Sequence, residues 1–107
     1  MSPDGTPGPA TGAAAQAAST VRRTCRICNK LGLHARAARK FVMAAAKFNA
    51  EIWVRKNGTT VPGTDILELL MLEAPSGTAI EIIATGHDAA TAVETLARLI
   101  ECKFDED

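Results

Sequence analysis

Asn57-Gly58 is the feature that most narrows the folds open to this chain. It stands between Ile52-Trp53-Val54 on one side and Thr59-Thr60-Val61 on the other, both made of strand-forming residues. A two-residue loop between strands needs positive φ at both central positions, which Asn and Gly tolerate and bulky side chains do not. The dipeptide predicts an antiparallel hairpin, residues 51–56 turning back into residues 59–61. That points away from an all-parallel sheet, whose strands need long crossover connections. No GxGxxG run and no GxxxxGK[ST] run occurs to reopen that possibility.

The hydrophobic period supplies the other elements. Val21, Arg23, Cys25 and Ile27 alternate with Arg22, Thr24, Arg26 and Cys28, which predicts a strand with Cys25 and Ile27 inward. Residues 29–33 read as a loop around Gly32. From His34 or Ala35 the period changes. Ala38, Phe41, Val42, Ala45 and Phe48 share one face of a helix expected to end near Asn49. Pro62-Gly63 breaks the pattern after the hairpin. Asp65, with Glu68 three residues on, predicts a capped short helix over residues 66–72. Pro75-Ser76-Gly77 is a turn, residues 78–84 a strand with Ile80, Ile82 and Ala84 on one side, and Asp88 the expected cap of a last helix over residues 89–102. The order is β-α-β-β-α-β-α. It predicts an α+β fold in which three helices cover one face of a four-stranded, mainly antiparallel sheet. The other face is expected to be mostly solvated and to carry Arg22, Arg26 or Glu81, depending on register.

Composition divides the chain in two. Residues 1–20 are almost all Ala, Gly, Pro, Ser and Thr, with one charge at Asp4, so a disordered tail is expected there and a folded domain over residues 21–107. The tail lacks the basic start and apolar run of a secretory signal, and it holds no Arg, as a transit peptide would. No segment approaches the roughly 18 apolar residues of a membrane span. Twelve Lys and Arg against twelve Asp and Glu leave no net charge, which argues against nucleic acid or a membrane as a partner. Three cysteines, an odd number, fit a reducing cytoplasm. Cys25 and Cys28 have CxxC spacing, which redox enzymes and zinc sites share. The pair closes a strand rather than opening a helix, and no second ligand pair exists, so a structural role and no metal are expected. His87, in a Gly-His-Asp turn, reads as structural or solvent-exposed.

His34 is different. It stands at the start of a helix whose first turn contains no Asp or Glu. Helix starts carry unpaired N–H groups and partial positive charge, and an acid usually neutralises them. A start left bare suits an external anion. A phosphoryl group on His34 would lie among the N–H groups of Ala35 and Arg36, with the Arg36 guanidinium on a further oxygen. Leu33, Ala35, Ala37, Leu67 and Met71, framed by Arg36 and Arg39, are the candidate partner surface, with Ile66 and Leu70 expected in the core.

The run Lys30-Leu31-Gly32-Leu33-His34-Ala35-Arg36-Ala37-Ala38 closely resembles the active-site signature of the HPr family, the histidine phosphocarriers of the bacterial phosphotransferase system. The similarity extends over residues 21–107 and keeps the element order. The resemblance implies an open-faced β-sandwich. It implies that His34 is phosphorylated on Nδ1 by enzyme I, with phosphoenolpyruvate as the source, and that the group passes to a histidine of an enzyme IIA. Arg36 would be the active-site arginine. The chain would be a cytoplasmic, monomeric carrier rather than an independent enzyme, without a cofactor and with regulatory target proteins as further partners. Asn29 to Arg36, Leu69-Leu70-Met71-Leu72 and the ending Phe104-Asp105-Glu106-Asp107 are most similar to the nitrogen-related branch, NPr. A sugar-transport HPr and a non-carrier regulatory binding module are the alternatives, though the latter would have no use for the His34 nucleophile. Two positions depart from the family pattern. Ala37 stands where a proline is usual, and Asp65 stands where many relatives carry the serine that HPr kinase phosphorylates. The second departure implies that serine control is absent.

Overall fold

The computed structural model describes residues 19–106. Residues 1–18 of the expected tail lie outside them, whereas Ser19 and Thr20, counted with that tail, are strand. In chain order the elements are β1 (Ser19–Arg26), α1 (Ala35–Ala45), β2 (Glu51–Lys56), β3 (Thr59–Pro62), α2 (Ile66–Met71), β4 (Ala79–Gly86) and α3 (Ala89–Glu101), followed by a single turn, Lys103–Asp105.

The hairpin is where its dipeptide puts it. Lys56 pairs with Thr59, and Asn57 and Gly58 have φ of 50° and 86°, the two left-handed positions a tight loop of this kind requires. The sheet runs β1-β4-β2-β3, antiparallel at every pairing. The last strand in sequence therefore lies between the first and second. Alternation then decides what is buried. Cys25, Ile52, Val54, Val61, Ile80, Ile82 and Ala84 point from the sheet into one core. Ala37, Ala38, Phe41 and Ala45 of α1, Leu69 of α2, and Ala92, Val93, Leu96 and Ile100 of α3 close it. Each large side chain fully removed from water contributes about 1.5–3 kcal/mol.

The opposite face is less solvated than expected. Trp53 and Ile83 pair across β2 and β4 with the outward parity, yet both are buried. Around them the register puts Arg22, Arg55 and Glu81 together, with Glu81 Oε1 3.6 Å from Arg22 and 3.4 Å from Arg55. Arg26, also outward, donates to the carbonyl of Gly77 at 2.6 Å. Other expectations change at element ends. The first helix stops at Ala45, because Lys47 and Phe48 donate three residues back, to Ala44 and Ala45, in a tighter turn. Asp88 makes no side-chain cap, since its carboxylate instead accepts the N–H of Asn49 at 2.8 Å and ties down the loop before β2. Asp65 does cap α2, accepting the N–H of Glu68 at 3.1 Å. Its own N–H goes to the carbonyl of Pro62 at 3.4 Å, so the reciprocal half of the capping box is not formed.

Candidate functional site

The segment between β1 and α1 is built to aim one ring. Asn29 is fully buried, and its Nδ2 donates to the carbonyl of Gly32 at 2.7 Å. Gly32 has φ of 71°, and a Cβ there would lie 2.7 Å from the Ala74 carbonyl oxygen and 2.8 Å from Pro75 Cα. Only glycine fits both the conformation and the space. The next N–H, from Leu33, donates to that same Ala74 oxygen at 2.9 Å while the Leu33 side chain packs inward. His34 is thereby turned outward at the N-cap of α1, with extended backbone (φ −81°, ψ −178°). Its carbonyl accepts the N–H of Ala38 at 2.8 Å, the first bond of the helix.

Both ring nitrogens have partners. Nδ1 accepts the backbone N–H of Arg36 at 3.2 Å. Nε2 lies 2.7 Å from Oε2 of Glu106. A carboxylate oxygen can only accept and a backbone N–H can only donate, so both contacts select one tautomer. The hydrogen is on Nε2 and the lone pair on Nδ1. The first turn of α1 contains no acidic residue, as its sequence indicates. Arg36 is exposed, and a cleft of about 670 Å³ opens between Lys30, Leu31, His34, Ala35, Arg36 and Glu106. On the other side of the ring a shallower hollow is lined by Leu31, Leu33, His34, Glu73, Ala74 and Pro75.

Glu106 is the functional candidate that local sequence patterns do not reveal. Its second oxygen accepts from Nδ2 of Asn29 at 3.1 Å. Desolvation alone would raise its carboxyl pKa. Hydrogen bonds from Asn29 and His34, with the charge of Lys40, outweigh that and hold it below the usual range. The turn before it is anchored by Phe104, which is fully buried and whose carbonyl accepts from Lys40 Nζ at 2.6 Å.

The expected partner surface needs two corrections. Leu33 and Ala37 are 6% and 0% exposed and belong to the core. Leu33 fills the space under the glycine turn, and Ala37 lies on the inward stripe of α1 with Ala38, Phe41 and Ala45. Leu67 and Met71 are exposed, as is Arg39, together with Leu31 and Met43, which periodicity did not single out. Ile66, expected inside, is exposed, and Leu69 takes the buried position of α2 while Leu70 is half-buried. Cys25 is in the core, and Cys28 is exposed with Sγ donating to the carbonyl of Ile100 at 3.3 Å. The two thiols therefore do not form a CxxC centre. Burial pushes the Cys25 thiol up, with Arg23 opposing and Glu101 assisting. His87 is exposed in its turn.

Residues 21–102 match the family model described as the PTS HPr component phosphorylation site. A phosphocarrier protein HPr of Neisseria meningitidis is 45% identical over 86 residues, 80% of this chain and 97% of that one. A phosphocarrier protein NPr of Shewanella violacea is 42% identical, over 80% of this chain and 94% of that one. The crystal structure of an HPr from Thermoanaerobacter tengcongensis aligns with a TM-score of 0.79 at 39% identity, covering 81% of this chain and 98% of that one.

Proposed function

The chain belongs to the HPr family of phosphotransferase-system phosphocarriers, and from that premise we propose that His34 carries the phosphoryl group. Phospho-enzyme I, charged from phosphoenolpyruvate, is the donor, and a histidine of an enzyme IIA is the acceptor. One observation supports this above the rest: the lone pair of His34 Nδ1 faces the Arg36 N–H at a helix start whose first turn holds no acidic residue.

The chemistry follows from that arrangement. Nδ1 attacks phosphorus, and the donor's bond to phosphorus breaks with its electron pair left on the donor. The Arg36 N–H, released from Nδ1, then bonds a phosphoryl oxygen. The Arg36 guanidinium neutralises another. Phosphoryl transfer asks the protein mainly for positioning and charge stabilisation. A helix start and one arginine hold the group firmly enough for diffusion and loosely enough for the next histidine. The exposed apolar residues Leu31, Met43, Leu67 and Met71, with Arg39, form the docking surface for both partners. The carrier acts as a cytoplasmic monomer. No described helix is long and apolar enough to cross a membrane.

The nitrogen-related relay is the finer assignment. It is supported by the forms of Asn29 to Arg36, Leu69 to Leu72 and Phe104 to Asp107. The Neisseria relative, named HPr, favours the sugar-transport alternative. A transfer assay separates them. Wild-type protein is incubated with phosphoenolpyruvate and either a nitrogen-type or a sugar-type enzyme I, and the product is read by intact mass. One added phosphate, faster with the nitrogen-type enzyme, is expected, and faster labelling by the sugar-type enzyme overturns the finer assignment. His34→Ala should fold normally and gain no phosphate. A phosphorylated His34→Ala protein refutes the carrier role of that residue.

A further inference from the structure

Glu106 lies far along the chain from the motif around His34, yet its carboxylate is 2.7 Å from the ring nitrogen that the phosphoryl group does not use. Its delivery is costly. Lys103, Phe104 and Asp105 all have left-handed φ, at 59°, 55° and 60°. L-residues avoid that region, and three in succession without glycine persist only where the surroundings hold them. Several anchors do so here. The Phe104 ring is fully buried, Lys40 holds the Phe104 carbonyl, and Asn29, itself buried, holds the second oxygen of Glu106. A strained turn pinned at each of these points ends in a hydrogen bond to the nucleophilic ring.

We infer that Glu106 is a positioning residue for phosphoryl transfer: it fixes the His34 ring through Nε2 and balances the charge that the ring acquires on Nδ1 phosphorylation. The inference rests on His34 being the carrier residue. When Nδ1 bonds to phosphorus, the pair comes from the ring and Nε2 keeps its hydrogen, so the ring becomes cationic. The Glu106 carboxylate, already at hydrogen-bond distance from Nε2, stabilises that cation. A ring held cationic is also a better leaving group, so the same contact readies the phosphate for the next acceptor. On discharge the pair returns to Nδ1 and the neutral tautomer is restored. The other charged groups near the ring do not replace it. Lys30 and Arg36 line the cleft and Lys40 stands beside the turn, all cationic. Glu73 lines the hollow on the other side.

The test uses full-length protein and four variants: Glu106→Gln, Glu106→Asp, Glu73→Gln and His34→Ala. Glutamine keeps an acceptor oxygen for Nε2–H but removes the charge. The ring of His34 is titrated by NMR before and after phosphorylation, and transfer from enzyme I is timed by rapid quench. Glu106→Gln should lower the midpoint of the ring in the phosphorylated protein by about one pH unit and slow transfer by about tenfold. Glu106→Asp should recover part of both, and Glu73→Gln should leave both near wild type. Unchanged midpoints and rates in Glu106→Gln overturn the inference, as does an equal effect from Glu73→Gln. If wild type gains no phosphate, or His34→Ala gains as much, the carrier assignment itself falls and the inference with it. A variant that merely loosened the fold would alter melting without moving the ring titration.

Discussion

Two helices of this protein begin with contrasting electrostatics. The start of α1 is capped by His34, whose ring nitrogen accepts one N–H, and its first turn is free of acids. The start of α2 is capped by Asp65, whose carboxylate accepts the N–H of Glu68, and Glu68 adds a second acid to the first turn. Both devices satisfy an N–H that the helix leaves unpaired. Only the second also places acidic side chains in the cap and first turn, against the positive end of the peptide dipoles. The contrast bears on the proposal that the start of α1 is where a phosphoryl group is loaded. On that proposal, a neutral cap bonds the amide without adding a negative charge, and an incoming anion is still attracted.

The change expected to disturb this contrast most is Gly32→Ala. It removes the left-handed turn that aims His34. A Cβ at 2.7 Å from a backbone oxygen, on a residue with φ of 71°, should cost about 2–4 kcal/mol in denaturant melts. Phosphate uptake at His34 should fall in parallel. Stability close to wild type would mean that the turn has other ways to form. Arg36→Ala should act in the complementary way. It leaves the Nδ1 contact with the backbone N–H intact, and the exposed side chain contributes little to folding. Transfer should slow about 10- to 100-fold while stability changes by less than about 0.5 kcal/mol, as rapid quench and melts together would reveal.

At the second start, Asp65→Ala should cost about 1 kcal/mol by loss of the cap, whereas Asp65→Ser should cost little. Wild type incubated with HPr kinase and ATP should acquire no stable adduct at Asp65 by mass spectrometry, and the serine variant is the test of whether a hydroxyl alone makes α2 a substrate. The smallest effect concerns acid. The Glu106 carboxyl is held low by its hydrogen bonds and neighbouring charges against the pull of desolvation, so it binds a proton less readily folded than unfolded. Its contribution is present above the ordinary carboxylate range and is lost as pH falls through its folded pKa. Urea midpoints of Glu106→Gln should therefore converge on those of wild type at low pH. A gap that widened on acidification would reverse the sign.

Local chemistry made much of this legible. Asn57-Gly58 placed the hairpin, alternation placed Cys25 and Ile82 inside, and a histidine before an acid-free first turn pointed to the candidate site. What stayed hidden was long-range. No periodicity says that β4 inserts between β1 and β2, nor that both faces of that strand are covered, with Ile83 buried opposite Trp53. Leu33 and Ala37 read as surface because they flank His34. Yet a short turn packed against Ala74 and Pro75 drives one inward, and the helix stripe carries the other. Glu106 meets His34 across 72 residues of chain, and nothing in the spacing of either could connect them.

The left-handed turn at the end of the described chain bears on how the protein is handled. A purification handle or fluorescent reporter fused downstream of Glu106 would emerge at the mouth of the cleft beside His34. It would compete with enzyme I for access and tug on the carboxylate that meets His34 Nε2. Labels are better attached upstream of β1, so that kinetic differences among variants reflect the imidazole and not the appendage.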